Sequence, residues 1–209
     1  PAKTVSMDDL QKKRSPVKLL VTTILMLLIA LGIGFAIPNA MWFYYIQSGS
    51  QNMDALKLEE SAKDFETAVT IARLFPSSDE RLGLSLNTLG TMQLALGRYK
   101  EANKTIDESI KIHERLYGEG VKSTKALLLK AGLNRRQGKY KQAEEIYNHA
   151  LDKIEHAEGK TAKYAEVLMV LSILEIYRGN YARAEAGFLE VTAIHKELAG
   201  DKYKEPPDM

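Results

Sequence analysis

The chain contains no cysteine, so its 209 residues carry no disulfide frame and no thiolate metal site, and the redox compartment is left open. A surplus of one charge is lacking as well. Five of the 29 basic and two of the 27 acidic residues precede Asp54, which leaves 24 against 25 beyond it. Neutralising a phosphate backbone needs a basic excess, so a nucleic-acid partner is excluded. No strand is evident and no glycine-rich phosphate loop is present. Catalytic groups are equally thin. His149 and His156 lie seven apart on a helix with no third ligand or nucleophile, and the pairs Glu59-Glu60 and Glu144-Glu145 read as solvated faces. The expectation is a protein that is not an enzyme, with no cofactor, no metal and no catalytic residue.

What the chain has is a repeat. Leu58, Tyr99, Tyr140 and Tyr181 form a column at a spacing of 41 residues. Ser61, Ala102, Ala143 and Ala184 form the next, then Phe65, Ile106, Tyr147 and Phe188, then Ala68, Ser109, Ala150 and Val191, without a gap. Within a unit the columns fall three and four residues apart, which puts them on one helix face. Gly97, Gly138 and Gly179 precede the column aromatics by two residues, where a tight turn joins a first helix to a second. Gly118, Gly159 and Gly200 close the second helices. A period of this length marks a solenoid in which each unit buries its apolar face against its neighbours, and such a chain is a surface for partners. His113 and His195 fall at equivalent places near the ends of second helices, where the helix dipole favours a cation.

The stretch Leu89-Gly90, Gly97-Arg98-Tyr99, Ala102 and Ile106 resembles the tetratricopeptide repeat (TPR) family, as do Gly138-Lys139-Tyr140, Ala143, Tyr147 and Ala150, and Gly179-Asn180-Tyr181, Ala184 and Phe188. The usual unit is about 34 residues, so the longer period is similar to the long-helix variant of kinesin light chains and many bacterial proteins. Leu86, Leu127 and Leu168 stand at the family's tryptophan position, and Lys130 stands where leucine is expected. The resemblance implies an all-α, right-handed solenoid over residues 55–200: a partial unit at 55–76 and full units at about 80–118, 121–159 and 162–200, followed by a tail at 201–209.

Charged residues are missing altogether from Leu19 to Met53, and Val17 to Ile37 is almost wholly apolar. Twenty-one residues at about 1.5 Å each reach roughly 31 Å, the thickness of a bilayer core. The expectation is a single transmembrane helix over residues 17–46, preceded by a short tail at 1–16, with Trp42, Phe43, Tyr44 and Tyr45 following Pro38 as an aromatic belt at the headgroups. A buried core helix and a signal peptide are the alternatives. Lys3, Lys12, Lys13, Arg14 and Lys18 precede the stretch, and only Lys57 and Lys63 follow within about 20 residues, which keeps the amino terminus inside by the positive-inside rule. The repeats would then be extracytoplasmic: periplasmic at a bacterial inner membrane, or in the intermembrane space at a mitochondrial one. Pro1 is expected to follow removal of an initiator methionine or cleavage of a precursor, while Asp8 and Asp9 argue against a mitochondrial targeting peptide.

The resemblance further implies that the first helices line a concave groove. Its facing positions would be Asn87, Thr91 and Leu94, then Leu128, Gly132 and Arg135, then Met169, Ile173 and Ile176, with Arg136 and Tyr177 beside them. This mixture suits an apolar peptide or helix with an acidic feature, although several of these residues could instead pack between helices. The lysine and asparagine clamp for a chaperone's carboxy-terminal carboxylate is missing, because Asn87 and Glu166 stand where cations are needed. On the apolar stretch, Gly32, Ala36 and Ala40, and Ala30 and Gly34, repeat at four, the spacing at which transmembrane backbones pack closely. The expected function is a membrane-anchored scaffold or adaptor attending an integral membrane complex; the alternative is a permanent structural subunit of such a complex. Residues 47–54 form the junction. A helix packed near Leu58, Ser61 and Phe65 and a flexible tether are both open there, since Gly49 falls one period before Gly90 while Gln47 to Asn52 is a polar, serine- and glycine-containing run.

Overall fold

The structure, a computed structural model, describes residues 16–118 and 120–200, with side chains throughout from residue 34 and at 20, 23, 24, 26 and 27. Eight α-helices occur among the described residues: α1 Pro16–Asp54, α2 Leu58–Ala72, α3 Arg81–Ala95, α4 Tyr99–Tyr117, α5 Thr124–Arg136, α6 Tyr140–Glu158, α7 Ala162–Tyr177 and α8 Tyr181–Ala199, with a 3-10 turn at Val121–Ser123. Each helix packs on the next in sequence, and α3 also meets α5, so the result is an all-α solenoid. The second helices α4, α6 and α8 are each 19 residues long, which accounts for the extended period.

The turn inside each unit has one geometry. At the end of α3 the Arg98 N–H donates to the Gln93 carbonyl at 2.8 Å and the Gly97 N–H to that of Leu94 at 3.2 Å. The ends of α5 and α7 repeat both bonds with Lys139, Gly138, Asn180 and Gly179. This doubly bonded C-cap needs a left-handed residue, and Gly97, Gly138 and Gly179 supply it at φ of 72°, 73° and 80°. Ala102 and Ala143 are fully buried at the helix contact, and Ile106, Leu133, Ile154 and Leu174 are buried with them. A fully buried side chain of this size contributes about 1.5–3 kcal/mol, so the column pattern is what holds the units together. Lys130, at the leucine position, bridges two units instead: its Nζ donates to Asn103 Oδ1 at 2.7 Å and to Asp107 Oδ1 at 2.6 Å on α4.

The expectation of a single transmembrane helix is corrected. Among the described residues no helix is long and apolar enough to cross a membrane. The helix that carries the apolar stretch runs through Pro38 and past the expected end at residue 46, on to Asp54. Its later part is docked on the repeats. Trp42 Nε1 donates to Ser85 Oγ at 2.9 Å, Phe35 meets Phe75 edge to face at 6.0 Å, and the Arg81 guanidinium lies 5.4 Å from the Trp42 ring and 4.2 Å from the Phe75 ring. Trp42 is thus a helix-packing residue rather than a member of a headgroup belt. The single-pass placement, with its inward amino terminus and extracytoplasmic repeats in a bacterial or mitochondrial inner membrane, falls with the span. Of the proposed close-packing residues, the side chain of Ala30 and the surroundings of Gly32 lie outside what is described, while Gly34, Ala36 and Ala40 are exposed.

Residues 47–54 are helical, and they occupy the place of a first helix. Gly49 lies flat against Phe65, close enough that an added Cβ would meet its ring at 2.7 Å. Ser61 Oγ donates to the Gly49 carbonyl at 2.8 Å, and Ser48 Oγ and Asn52 Nδ2 both donate to Asp64 Oδ2, at 2.7 and 2.9 Å. The polar run therefore serves the α1–α2 contact. The following turn repeats the doubly bonded C-cap, with Lys57 N–H to Asn52 and Leu56 N–H to Met53, but its left-handed residue is Leu56 at φ 60°.

Candidate functional site

Because α3, α5 and α7 line up along one side of the solenoid, they, the end of α4 and the middle of α6 at Tyr147 border a cavity of about 820 Å³. Its apolar lining is Leu84, Leu128, Val167 and Val170. Around these sit Lys122, Lys125 and Lys163, the carboxylates Glu80 and Glu166, and the rings of His113, Tyr117 and Tyr147. Several of the polar groups are engaged. Tyr117 donates its hydroxyl to Glu80 Oε2 at 2.6 Å, and that bond raises its pKa, with burial and the Glu80 charge acting in the same direction. Lys122 Nζ stands 4.9 Å over the Tyr117 ring. Tyr147 is also raised, chiefly by burial, with the Arg135 charge and hydrogen bond opposing.

His113 lies near the end of α4, where its place in the repeat puts it. It is buried, its Nδ1 donates to the Ser109 carbonyl at 2.8 Å, and Nε2 faces the Asn87 amide at 3.4 Å. Asn87 Oδ1 in turn accepts from Ser109 Oγ at 2.8 Å. The imidazole can come this close because Gly83 has no Cβ, which would lie 2.7 Å from Cε1. His195, at the equivalent place, is exposed.

The predicted groove positions separate into three groups. Asn87 and Leu94 are buried between helices, and Thr91 is exposed with its hydroxyl returned to the Asn87 carbonyl at 2.9 Å. Leu128 lines the cavity, whereas Met169 and Ile176 are exposed and Ile173 is half-buried. Arg135, Arg136 and Tyr177 do meet, together with Tyr140, around a smaller cavity of about 400 Å³. There the Arg135 guanidinium lies 5.7 Å from the Tyr177 ring, Tyr140 stacks on Tyr177 at 6.3 Å, and Arg135 Nε is buried without a partner. The main cavity lies about one helical turn nearer the helix starts than the predicted triplets. Its missed residues, Leu84, Lys125 and Glu166, form a 41-residue column of their own, three positions before Asn87, Leu128 and Met169. That column is visible in the sequence; the packing of the helices is what makes it a cavity wall. Among the described residues no group of three metal-ligating side chains gathers.

Residues 82–120 and 123–197 each match the tetratricopeptide repeat family, together more than half of the chain. The chain belongs to that family. Its repeats serve as scaffolds for protein–protein interaction and are generally not enzymes. Among solved structures, BtubC (BKLC) from P. vanneervenii superposes with a TM-score of 0.68 at 18% identity, over 82% of this chain and 69% of that one. A kinesin light chain protein with nearly identical TPR-like repeats from Podosopora anserina gives 0.65 at 15% identity, over 79% and 80%. A tetratricopeptide repeat protein from Parabacteroides merdae gives 0.52 at 21%, over 76% and 55%. At these identities the likeness is one of fold. No curated protein matches the chain by sequence.

Proposed function

We propose that this TPR chain is an adaptor that docks a peptide or helical segment of a partner protein in the cavity between α3, α5 and α7. The observation that carries this reading is the pairing of an apolar floor with unevenly charged walls. Leu84, Leu128, Val167 and Val170 offer a dry surface for a bulky apolar side chain, while Lys125 and Glu166 have no ion pair among the described residues. An apolar anchor bordered by fixed polar groups is the usual composition of a recognition pocket. Three lysines against two glutamates favour an acidic flank on the ligand, and Arg135, which faces Tyr147 at the cavity wall, extends the cationic side toward Arg136 and Tyr177. A role as accessory to an integral membrane complex rested on the transmembrane span and is set aside with it.

The reading as a permanent subunit draws on a different observation. Phe35, Met41, Phe43 and Tyr44 are exposed on α1, and a stable neighbour would cover them. Peptide display against the full-length chain separates the two. Selected peptides should carry a bulky apolar residue beside Asp or Glu, Leu128→Asp should abolish their binding, and Lys125→Glu should weaken it about tenfold. Selection of no peptide sensitive to either change would overturn the adaptor reading.

A further inference from the structure

The two inner junctions of the solenoid show what a second helix requires on its outer face. On α4, Tyr99 and Ile110 share a core with Leu129 and Leu133 of α5, and Asn103 and Asp107 accept from Lys130. On α6, Tyr140 and Leu151 share a core with Val170, Leu171 and Leu174 of α7, and Glu144 pairs with Arg178 at 2.5 Å. Each outer face thus receives apolar side chains from the helix that follows and a cation from that helix or its C-cap, Lys130 of α5 and Arg178 at the end of α7, with Arg183 of α8 a further 3.7 Å partner of Glu144. The same register on α8 holds Tyr181, Glu185, Leu189 and Thr192. No described helix follows. Tyr181 is 70% and Leu189 66% exposed, Glu185 has no ion pair among the described residues, and with Ile176 and Phe188 they line an open cavity of about 360 Å³.

We infer that this outer face of α8 is the docking site for an amphipathic helix of a partner protein, one that presents aliphatic side chains to Leu189 and Phe188 and a lysine or arginine to Glu185. The carboxylate sits one period after Glu144 and two after Asn103, the two places where a cation of the next helix or its C-cap is received, so the charge complement is written into the register. The site is separate from the concave cavity, whose residues come from α3 to α7 and the turns beside them.

The probe is the acetylated, amidated peptide of residues 162–180, which carries α7 and Arg178 and fills this register on α6; its anisotropy is followed on titration with the full-length chain. Saturable binding is expected. Leu189→Asp or Glu185→Lys in the chain should each lower affinity about tenfold or more, as should Arg178→Glu in the peptide, and the two charge reversals combined should restore it. Leu128→Asp in the concave cavity should leave binding unchanged. Absence of saturation at about 1 mM peptide, or binding indifferent to Leu189→Asp and Glu185→Lys, would overturn the inference. So would binding that appears only after removal of residues 201–209, which would assign the face to the chain's own tail, or a wild-type oligomer dispersed by Leu189→Asp, which would assign it to a second copy.

Discussion

The first and last described units of the solenoid solve the same problem in opposite ways. At the front, the last part of α1 takes the slot of a first helix and covers α2, so that Phe65 is 1% exposed. At the back, α8 has no described helix on its outer side, and Leu189 remains on the surface. A helix need not carry the repeat's own sequence to fill the slot. It must bring a small residue where two backbones approach, as Gly49 does against Phe65, and hydrogen-bonding groups where the partner presents them, as Ser48 and Asn52 do to Asp64. The contrast separates burial that stabilises the fold from apolar surface that is left for something else to cover.

Truncation on each side of this contrast gives the largest expected effect. Phe65→Ala should cost about 3–5 kcal/mol in urea unfolding, because it empties a buried site between α1 and α2. Leu189→Ala should stay within about 0.5 kcal/mol, as an exposed change does. Equal losses would mean that α1 does not cover Phe65 or that the back end is closed. A smaller effect of opposite sign is expected at the front turn. Leu56 does in the left-handed region what Gly97, Gly138 and Gly179 do in the other units, and its side chain is 83% exposed. Leu56→Gly should therefore raise stability by about 1 kcal/mol, the relieved left-handed strain outweighing the entropy that glycine adds to the unfolded chain. A loss on the same measurement would show that the Leu56 side chain holds a contact that matters.

The smallest effect sharpens the contrast from the interior. The Tyr117 hydroxyl, bonded to Glu80, has a pKa above the ordinary tyrosine value of 10.0. The protonated phenol makes that bond, so its contribution is fully present below about pH 10 and is lost as pH rises through the higher folded value. The stability gap between the wild type and Tyr117→Phe should narrow above that pH. A gap that stays constant to higher pH would remove the Tyr117–Glu80 bond from the description.

The periodic columns carried most of the architecture directly. A 41-residue spacing of aromatic, alanine and apolar positions with a glycine two residues ahead admits little but paired helices, since the turn needs the left-handed region and the crossing needs a small side chain. The front unit is less legible because its turn residue is Leu56 rather than glycine and because a polar run suits a tether as well as a helix, whereas Ser48, Asn52 and Ser61 spend that polarity across a helix contact. The apolar stretch departs from its hydropathy for a related reason: hydropathy counts residues but does not say what they face, and Trp42 and Phe35 face Ser85 and Phe75. In the groove, the sequence assigned residue types to a helix but not the rotation of that helix about its axis. Arg135, Arg136 and Tyr177 gather around one small cavity, Arg136 and Tyr177 lying one period apart, while the larger cavity lies about one turn nearer the helix starts than the predicted triplets. A column can be read from spacing alone. Which column lines a cavity depends on how successive helices pack, and that is decided by side chains meeting between them, Gly83 against His113 inside a unit and Lys130 against Asp107 between units, contacts that exist only in the folded array.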